Sequence, residues 1–499
     1  MPIRITGLNS GLDTEAIISA LVSSYDYKTE KYKKAQTKLA WKQEAWKSLN
    51  TKIYSFYKSV GNLRLSNAYD LKTTISSDSS KVSVSAGSNA PNGTQKLNIL
   101  QMAQAWSMTG GKLELQAGKA VTGGTTLKDL GYTNGEGKLK VTLGDGTSKE
   151  ISVKGDMTVN EFVGQLREAG LNANFDENNG RFYINAKETG AGEVKIEGMD
   201  EAGKKALESL GLNDGKATVI KGQDAKIKLN GVEYTSSSNS FSINGLNITV
   251  QGVTGDGDEN AVTLTTNTDT QAIYDKVKDF LTQYNSLINE MTALFNADSA
   301  KGYEPLSDEE KDQMSETEIE KWEEKIKDSL LRRDDSLEGV LNAMTSSMSQ
   351  GIEIDGKTYY LSSFGINTLG FLDAPKNQQY AYHINGDEDD TATSGKEDKL
   401  MAAINSDPDT VVTFMQKLAS NLYNAIDEKM KSTSLRSAYT VYNDKEMASE
   451  YSDYTNLIKK WEEKLKQQED YYYQKFAAME TALSKLNSQT SSLGQLFGG

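Results

Sequence analysis

Seven positions spaced one heptad apart near the N-terminus, Ile18, Tyr25, Tyr32, Leu39, Trp46, Ile53 and Val60, are all apolar or aromatic. A second series, Leu465, Tyr472, Met479, Leu486 and Leu493, runs almost to the last residue. A repeat of seven held over four or more heptads keeps one seam on one side of an underwound helix. Each end of the chain is therefore expected to be a long coiled-coil-type helix that needs a partner, and the expected function is assembly. Interleaved positions agree in the first series (Leu21, Leu49, Phe56, Leu63). They agree only partly in the second, where Trp461 and Leu496 alternate with Gln468, Lys475 and Gln489. The C-terminal seam is incompletely satisfied by itself.

Composition removes most catalytic alternatives. The 499 residues include no cysteine and one histidine, His383. A Cys nucleophile, a thiolate metal centre, a disulfide and a His-cluster metal site are excluded together. His383, in the stretch Tyr380-Ala-Tyr-His-Ile384, reads as a strand or turn residue. No catalytic residue, metal or cofactor is expected. With 37% hydrophobic and 25% charged residues the chain can build soluble cores, and its length suits about three or four domains. A net charge of −15 argues against a phosphate-neutralising surface for nucleic acid. No run of about 18 apolar residues exists for a membrane helix. The start, Met1-Pro-Ile-Arg-Ile5, lacks a basic region followed by an apolar run, so no cleavable secretory signal is expected.

Glycine divides the chain, since 28 of its 42 glycines lie between Leu71 and Thr268. Both flanks read as helix. The first arm spans Leu12 to about Leu65, with Asp13 or Thr14 as N-cap. The middle alternates as in Lys81-Val-Ser-Val84 and Leu139-Lys-Val-Thr-Leu143, with hairpin turns at Gly144-Asp-Gly146, Asn179-Gly180, Asn230-Gly231 and Asn244-Gly245. Thr158-Val-Asn-Glu161 is a capping box opening a short helix that ends at Gly170. After Thr268 the helical period returns at Ile273, Val277, Phe280, Leu281, Tyr284 and Leu287. It continues at Ile319, Trp322, Ile326 and Leu330 behind the capping box Ser315-Glu-Thr-Glu318, an apolar stripe that predicts packing. An Asp355-Gly356 hairpin follows. Ser406-Asp-Pro408 then starts a helix bearing Val412, Met415, Leu418, Leu422, Ile426 and Met430. Pairing the two arms antiparallel would bring both chain ends to one pole, with the glycine-rich part at the other.

Three motifs fail their tests. Gly7-Leu-Asn-Ser-Gly11 has the order G-x-x-S-G, not the G-x-S-x-G of a nucleophile elbow, so Ser10 reads as part of a helix-opening turn. The acidic run from Asp256 would place Ala261 and Asn267 where a calcium loop needs glycine and a bidentate glutamate. The run from Asp387 fails likewise, with Ala392 and Asp398 at those positions. Both read as solvated loops. Intramolecular and intermolecular pairing of the arms remain equally open on pattern alone, because knobs-into-holes geometry is the same in both.

The stretch Ile5-Thr-Gly-Leu-Asn-Ser-Gly-Leu-Asp-Thr-Glu-Ala-Ile-Ile18 closely resembles the N-terminal signature of the bacterial flagellar filament-capping family, flagellar hook-associated protein 2. Ile273-Tyr-Asp-Lys-Val-Lys-Asp-Phe280-Leu-Thr-Gln-Tyr-Asn285 resembles the family's return into its helical domain. Leu483-Ser-Lys-Leu-Asn487-Ser-Gln-Thr-Ser-Ser492-Leu is similar to its terminal motif. Asn230-Gly-Val-Glu-Tyr234 through Asn244-Gly-Leu-Asn-Ile-Thr-Val250 is like the hairpin module of flagellin and hook-associated proteins. These matches occur in the family's order and are loose over residues 115 to 218.

The resemblance implies a secreted protein, exported unfolded by the flagellar type III secretion apparatus with an export chaperone, that acts outside the cell at the flagellum tip. It implies a self-associated ring, a pentamer being favoured, on the growing filament end. The ring would retain exported flagellin and promote its folding and polymerisation. The expected fold is α+β multidomain: terminal coiled-coil helices (1–42 with 451–499), a helical leg (43–70 with 269–450), a β-rich head (71–114 with 219–268) and an inserted α/β head domain (115–218). Heptad position selects Leu8, Leu12, Ile18, Leu21 and Tyr25 at one end, with Leu486, Leu493, Leu496 and Phe497 at the other, as the filament-facing surface. The alternative is a flagellar-tip adhesin whose head binds host mucin or glycans, and an enzyme in the insertion is the remote one.

Overall fold

Asp13 opens the first long helix by accepting a hydrogen bond from the Ala16 amide at 3.0 Å, which satisfies one of the donors a helix start leaves unpaired. The computed structural model of the chain describes residues 10–115 and 119–497, with side chains described as far as residue 492. These residues form two compact units. One comprises Met1–Tyr69 with Thr270–Gly499, the other Asp70–Asp269.

The first unit begins with helix α1 (Thr14–Leu63). The chain then leaves for the second unit, which alternates as a half-buried antiparallel sheet must. Its outer part combines β1 (Lys72–Ser76), β2 (Val82–Ala86), β3 (Gly93–Gln101) and, later in the chain, the strands that return to pair with them. Between them lie β4 (Ala105–Thr109), β5 (Gly137–Thr142), β6 (Ser148–Val153), α2 (Val159–Glu168), β7 (Leu171–Asp176), β8 (Arg181–Thr189), β9 (Lys195–Gly198), α3 (Glu201–Ser209) and β10 (Thr218–Ile220). The returning strands are β11 (Ala225–Leu229), β12 (Val232–Ser236), β13 (Ser240–Ile243), β14 (Leu246–Val250) and β15 (Val262–Thr268). One sheet runs β1-β15-β3-β11-β12 and a second β13-β14-β2. Leu97, Ile99, Ile227, Leu246, Ile248 and Leu264 contribute to the core of this outer part, each wholly excluded from water.

The inserted strands form two further sheets, β10-β4-β8-β7 and β6-β5-β9, over a separate core that includes Phe162, Leu166, Phe182, Ile184, Leu139 and Val141. The expected boundary at 115 and 218 needs correction. Strand β4 pairs with β8 and β10, and Trp106 and Met108 are buried in the insert's core. The crossover sits instead at the Gln104–Gln223 bridge, whose backbone bonds are 2.9 and 3.0 Å long. Two further bonds tie the insert to the outer part: the Ala191 amide donates to Asp224 at 2.7 Å and the Thr189 hydroxyl to the Ser237 carbonyl at 2.6 Å.

Local chemistry agrees with the turn and cap readings. Asn230-Gly231, Asn244-Gly245 and Asp355-Gly356 hold φ of +52° and +82°, +49° and +80°, and +48° and +78°, the paired positive values of two-residue hairpins whose twist matches the flanking strands. In the Thr158 capping box the Glu161 amide donates to the threonine hydroxyl at 3.2 Å, and the Thr158 amide donates to the Glu161 carboxylate at 2.8 Å. The bond from the Thr158 amide, and then one from the Thr158 hydroxyl, hold the Glu161 carboxyl below its usual range. Thr158→Ala is expected to cost about 1 kcal/mol locally. Amide hydrogen exchange in the first turn of α2, measured on the full chain, should then quicken about fivefold.

The first unit resumes with α4 (Thr270–Phe295), α5 (Asp308–Lys311), α6 (Glu316–Asp328), α7 (Asp335–Ser349), the hairpin β16 (Ile352–Ile354) and β17 (Lys357–Tyr359), and the pair β18 (Ile366–Asn367) and β19 (His383–Ile384). It ends with α8 (Lys399–Ser406), α9 (Pro408–Met430) and α10 (Asp444–Phe497). Asp407 caps α9 through the Thr410 amide at 3.1 Å, ahead of proline in the first turn. Val411, not Val412, takes the buried position beside Phe414 and Met415. On α6, Ile326 is fully buried and the Trp322 indole donates to the Glu304 carbonyl at 2.8 Å, so this charged helix packs as expected. Lys325 of α6 also lies 4.5 Å from the Tyr303 ring, a cation–π contact.

The acidic runs are occupied by lysines. Asp256 pairs with Lys228 and Asp258 with Lys96, while Lys278 bridges Asp387 and Asp389 at 2.7 and 2.6 Å. His383, on β19, meets Asp390 through Nδ1 at 2.6 Å.

Candidate assembly interface

Helices α1 and α10 run antiparallel, and side chains on the two arms meet in one register along their length. Starting from the bundle, Trp46 stacks on Tyr442 at 5.2 Å with ring planes 8° apart. Farther out, Gln36 donates to the Thr455 hydroxyl at 2.6 Å and to the Tyr451 carbonyl at 3.3 Å. Tyr32 lies 6.3 Å from Tyr454, and Tyr25 lies 6.1 Å from Trp461. The Trp461 ring is also flanked by Lys28 and Lys464 at 4.3 and 4.4 Å. At the far end the Ser10 hydroxyl donates to the Glu480 carboxylate, which is 8% exposed.

The seam changes step along α1. In the outer half it uses Ile18, Val22, Tyr25, Thr29, Tyr32, Gln36 and Leu39, so each heptad is divided four then three. In the inner half it uses Trp46, Leu49, Ile53, Phe56, Val60 and Leu63, divided three then four. The change falls where α1 begins to face α4 and α9 as well as α10. There Phe56 stacks on Phe280 at 6.2 Å and Tyr57 on Tyr423 at 4.3 Å. The Tyr57 hydroxyl donates to Asp427 at 2.8 Å. Burial, then the Tyr423 and Asp427 bonds, push the Tyr57 phenol well above its ordinary value, so it stays protonated. Asn50 clamps the loop that leads into α10, donating to the Tyr439 carbonyl at 3.1 Å and accepting from the Val441 amide at 2.9 Å.

Ion pairs line the outer arm. Lys33 bridges Glu30 and Glu462 at 3.2 and 3.3 Å. Burial opposes its charge, but hydrogen bonds and attraction from the two glutamates outweigh that and raise its pKa. Lys34 pairs with Glu310, whose carboxyl is lowered chiefly by that bond, and Lys42 pairs with Asp334 at 2.8 Å. Such exposed pairs contribute about 0–1 kcal/mol each. They show that α5 and the loop before α7 already touch α1 at Lys34 and Lys42. The expected division at 42/43 therefore falls inside one uninterrupted helix and one compact unit.

The residues selected for the filament-facing surface separate into three groups. Ile18 is 2% exposed and Tyr25 half-buried, and both face the seam between the arms. Leu21 is displaced from the seam by Val22 and is 44% exposed; Leu12 and Leu486 are 46% and 61% exposed. Leu8 lies outside the described residues, and Leu493, Leu496 and Phe497 stand on the last turns of α10 with side chains outside those described. The sequence reading missed Val22, Thr29 and the Ser10–Glu480 contact. A four-residue step from Ile18 to Val22 was visible, but Thr29 and Glu480 carry no apolar signal.

Comparison with known proteins decides what this architecture belongs to. The family description "Flagellar hook-associated protein 2 C-terminus" matches residues 222–488, and "Flagellar hook-associated protein 2 N-terminus" matches residues 10–106. The chain belongs to the flagellar hook-associated protein 2 family. The two matches stop and resume beside the Gln104–Gln223 bridge and leave the inserted subdomain unmatched, so family sequence and folded boundary coincide. The chain is similar to flagellar hook-associated protein 2 of Halalkalibacterium halodurans, at 23% identity over 99% of both chains. It is also similar to that of Thermotoga maritima, at 24% identity over 90% of this chain and 70% of the relative. Its fold is like that of the flagellar cap protein FliD D1-D2-D3 domains from Escherichia coli. That match has 19% identity and a TM-score of 0.50, and covers 76% of this chain and 95% of that one. This chain is a member of that family built of helical and β-rich parts.

Proposed function

We propose that this chain caps the distal, extracellular end of the flagellar filament, retains exported flagellin there while it folds into the lattice, and docks through the outer ends of its two arms. The observation that carries the reading is the end of α10. Beyond Glu480 every side chain from Thr481 to Ser492 is exposed except the half-buried Leu483. This stretch is rich in Ser, Thr and Asn, which are weak helix formers. A helix of this length without a packed face is marginal in water. A partner that covers Leu483 and Leu486 would stabilise it, and Leu12, just ahead of α1, and Leu21, on α1, are exposed as well. Self-association into a closed ring is the arrangement that identical subunits reach through repeated heterologous contacts.

The test is the double variant Leu12→Asp with Leu486→Asp. Both side chains are exposed, so folding should change by no more than about 0.5 kcal/mol. In cells lacking the native cap protein, the variant should be exported at the normal level while flagellin accumulates in the medium and filaments stay short. Filaments of normal length at normal export would overturn docking through these ends.

A further inference from the structure

Phe371 and Leu372 are 81% and 94% exposed, side by side at the tip of a loop in the first unit. Single exposed apolar side chains are ordinary on a protein surface. An adjacent aromatic and aliphatic pair held this far out is the composition of an interface core. The tip is built as a turn: Gly370 adopts φ +89°, and the Ala374 amide donates to the Gly370 carbonyl at 3.1 Å. Its base is fixed on α4. Asn285 donates to the Tyr382 carbonyl at 2.7 Å and accepts from the Tyr382 amide at 2.8 Å, while Asn296 donates to Asn377 at 3.2 Å. The loop thus presents two apolar side chains from an anchored support.

The same unit carries an apolar groove of about 500 Å³ between α1 and α4. Phe56 and Leu287 lie at its floor, Thr282 and Ser286 along one wall, and the Lys52–Glu290 ion pair, at 2.6 Å, on its rim. The α4 residues of the groove fall at the i, i+1, i+4, i+5 and i+8 positions from Thr282, which form one helical face. Asn285, which holds the loop, projects from a different face of α4.

We propose that Phe371 and Leu372 of one copy insert into the α1/α4 groove of a neighbouring copy. Charge favours a second copy as the occupant. Asp373 and Lys376 follow the apolar pair in sequence, and the Lys52–Glu290 pair on the rim can exchange partners with them, acid to base and base to acid. Because the loop carrying the plug is anchored on a different face of α4 from the groove, the contact is heterologous and repeats from copy to copy. It specifies the leg contact of the self-associated cap, and therefore rests on the self-association stated above.

The absence of native cysteine makes a direct test clean. Full-length chains carrying Leu372→Cys alone and Ser286→Cys alone are mixed and oxidised; the expected product is a disulfide-linked dimer containing one of each, which only an intermolecular contact can give. In parallel, Phe371→Asp with Leu372→Asp should raise the concentration for half-association at least about a hundredfold, about 2.8 kcal/mol, with thermal unfolding unchanged. A wild-type chain that associates, with no mixed dimer and no weakening in the Asp variant, would overturn the plug contact and leave self-association standing. An Asp variant that still associates but no longer binds filament ends would assign the plug to flagellin and also overturn it. A wild-type chain that stays monomeric at high micromolar concentration, with or without filament ends, would remove self-association itself.

Discussion

Cells whose cap protein is truncated after Glu480 are expected to shed flagellin into the medium and to grow short or no filaments, although the truncated chain folds. The cut keeps Glu480, which accepts the Ser10 hydrogen bond that closes the arm pair. It removes a stretch whose described side chains are exposed apart from Leu483, so the loss to folding should be below about 1 kcal/mol. The loss to docking is larger. Each Leu-sized side chain transferred out of water contributes roughly 1.5–3 kcal/mol. The segment holds Leu483, Leu486, Leu493, Leu496 and Phe497. If two or three of these are covered on the filament, removing them weakens binding by about a thousandfold or more after ordering costs are subtracted. Co-sedimentation with filament ends measures the binding, and calorimetry of the purified chain checks the fold. Full-length filaments from truncated protein exported at the normal level would place docking elsewhere.

Sequence signals were reliable where local chemistry has one solution. Asn230-Gly231, Asn244-Gly245 and Asp355-Gly356 turn with paired positive φ, whereas at Asn179-Gly180 only the glycine does, in a four-residue turn; the capping boxes at Thr158 and Ser315 form where the pattern put them. The arms were legible because apolar residues at Ile18, Leu39, Trp46, Ile53 and Val60 recur at a fixed period. Their step was not legible, since choosing Val22 over Leu21 depends on which side α10 occupies, and the choice is made by a partner more than 400 residues away. The insert's edge was misplaced for a similar reason. Trp106 and Met108 are compatible with either core, and only the pairing of Ala105–Thr109 with β8 assigns them. Polar contacts across the arms, such as Ser10 with Glu480 and Asn50 with Val441, leave no periodic trace at all.

Trp46→Ala is expected to unfold the helical unit selectively. The indole is 1% exposed and stacked on Tyr442 where the two arms enter the bundle, so its removal leaves a cavity that packed neighbours on several helices cannot fill. Truncations of this kind cost about 3–5 kcal/mol, a large part of the roughly 5–15 kcal/mol that holds a domain together. In calorimetry the transition of the unit containing α1 and α10 should fall by about 5–15 °C. The β-rich unit has its own two cores and should keep its transition. Trp46→Phe should recover part of the loss by restoring ring contact. A double-mutant cycle with Tyr442→Ala should show coupling of about 0.5–1.5 kcal/mol from the stack. A shift of both transitions together would mean that the two units unfold as one. An unchanged first transition would mean that the arms are held by their outer contacts, and that the stack at Trp46 and Tyr442 contributes little.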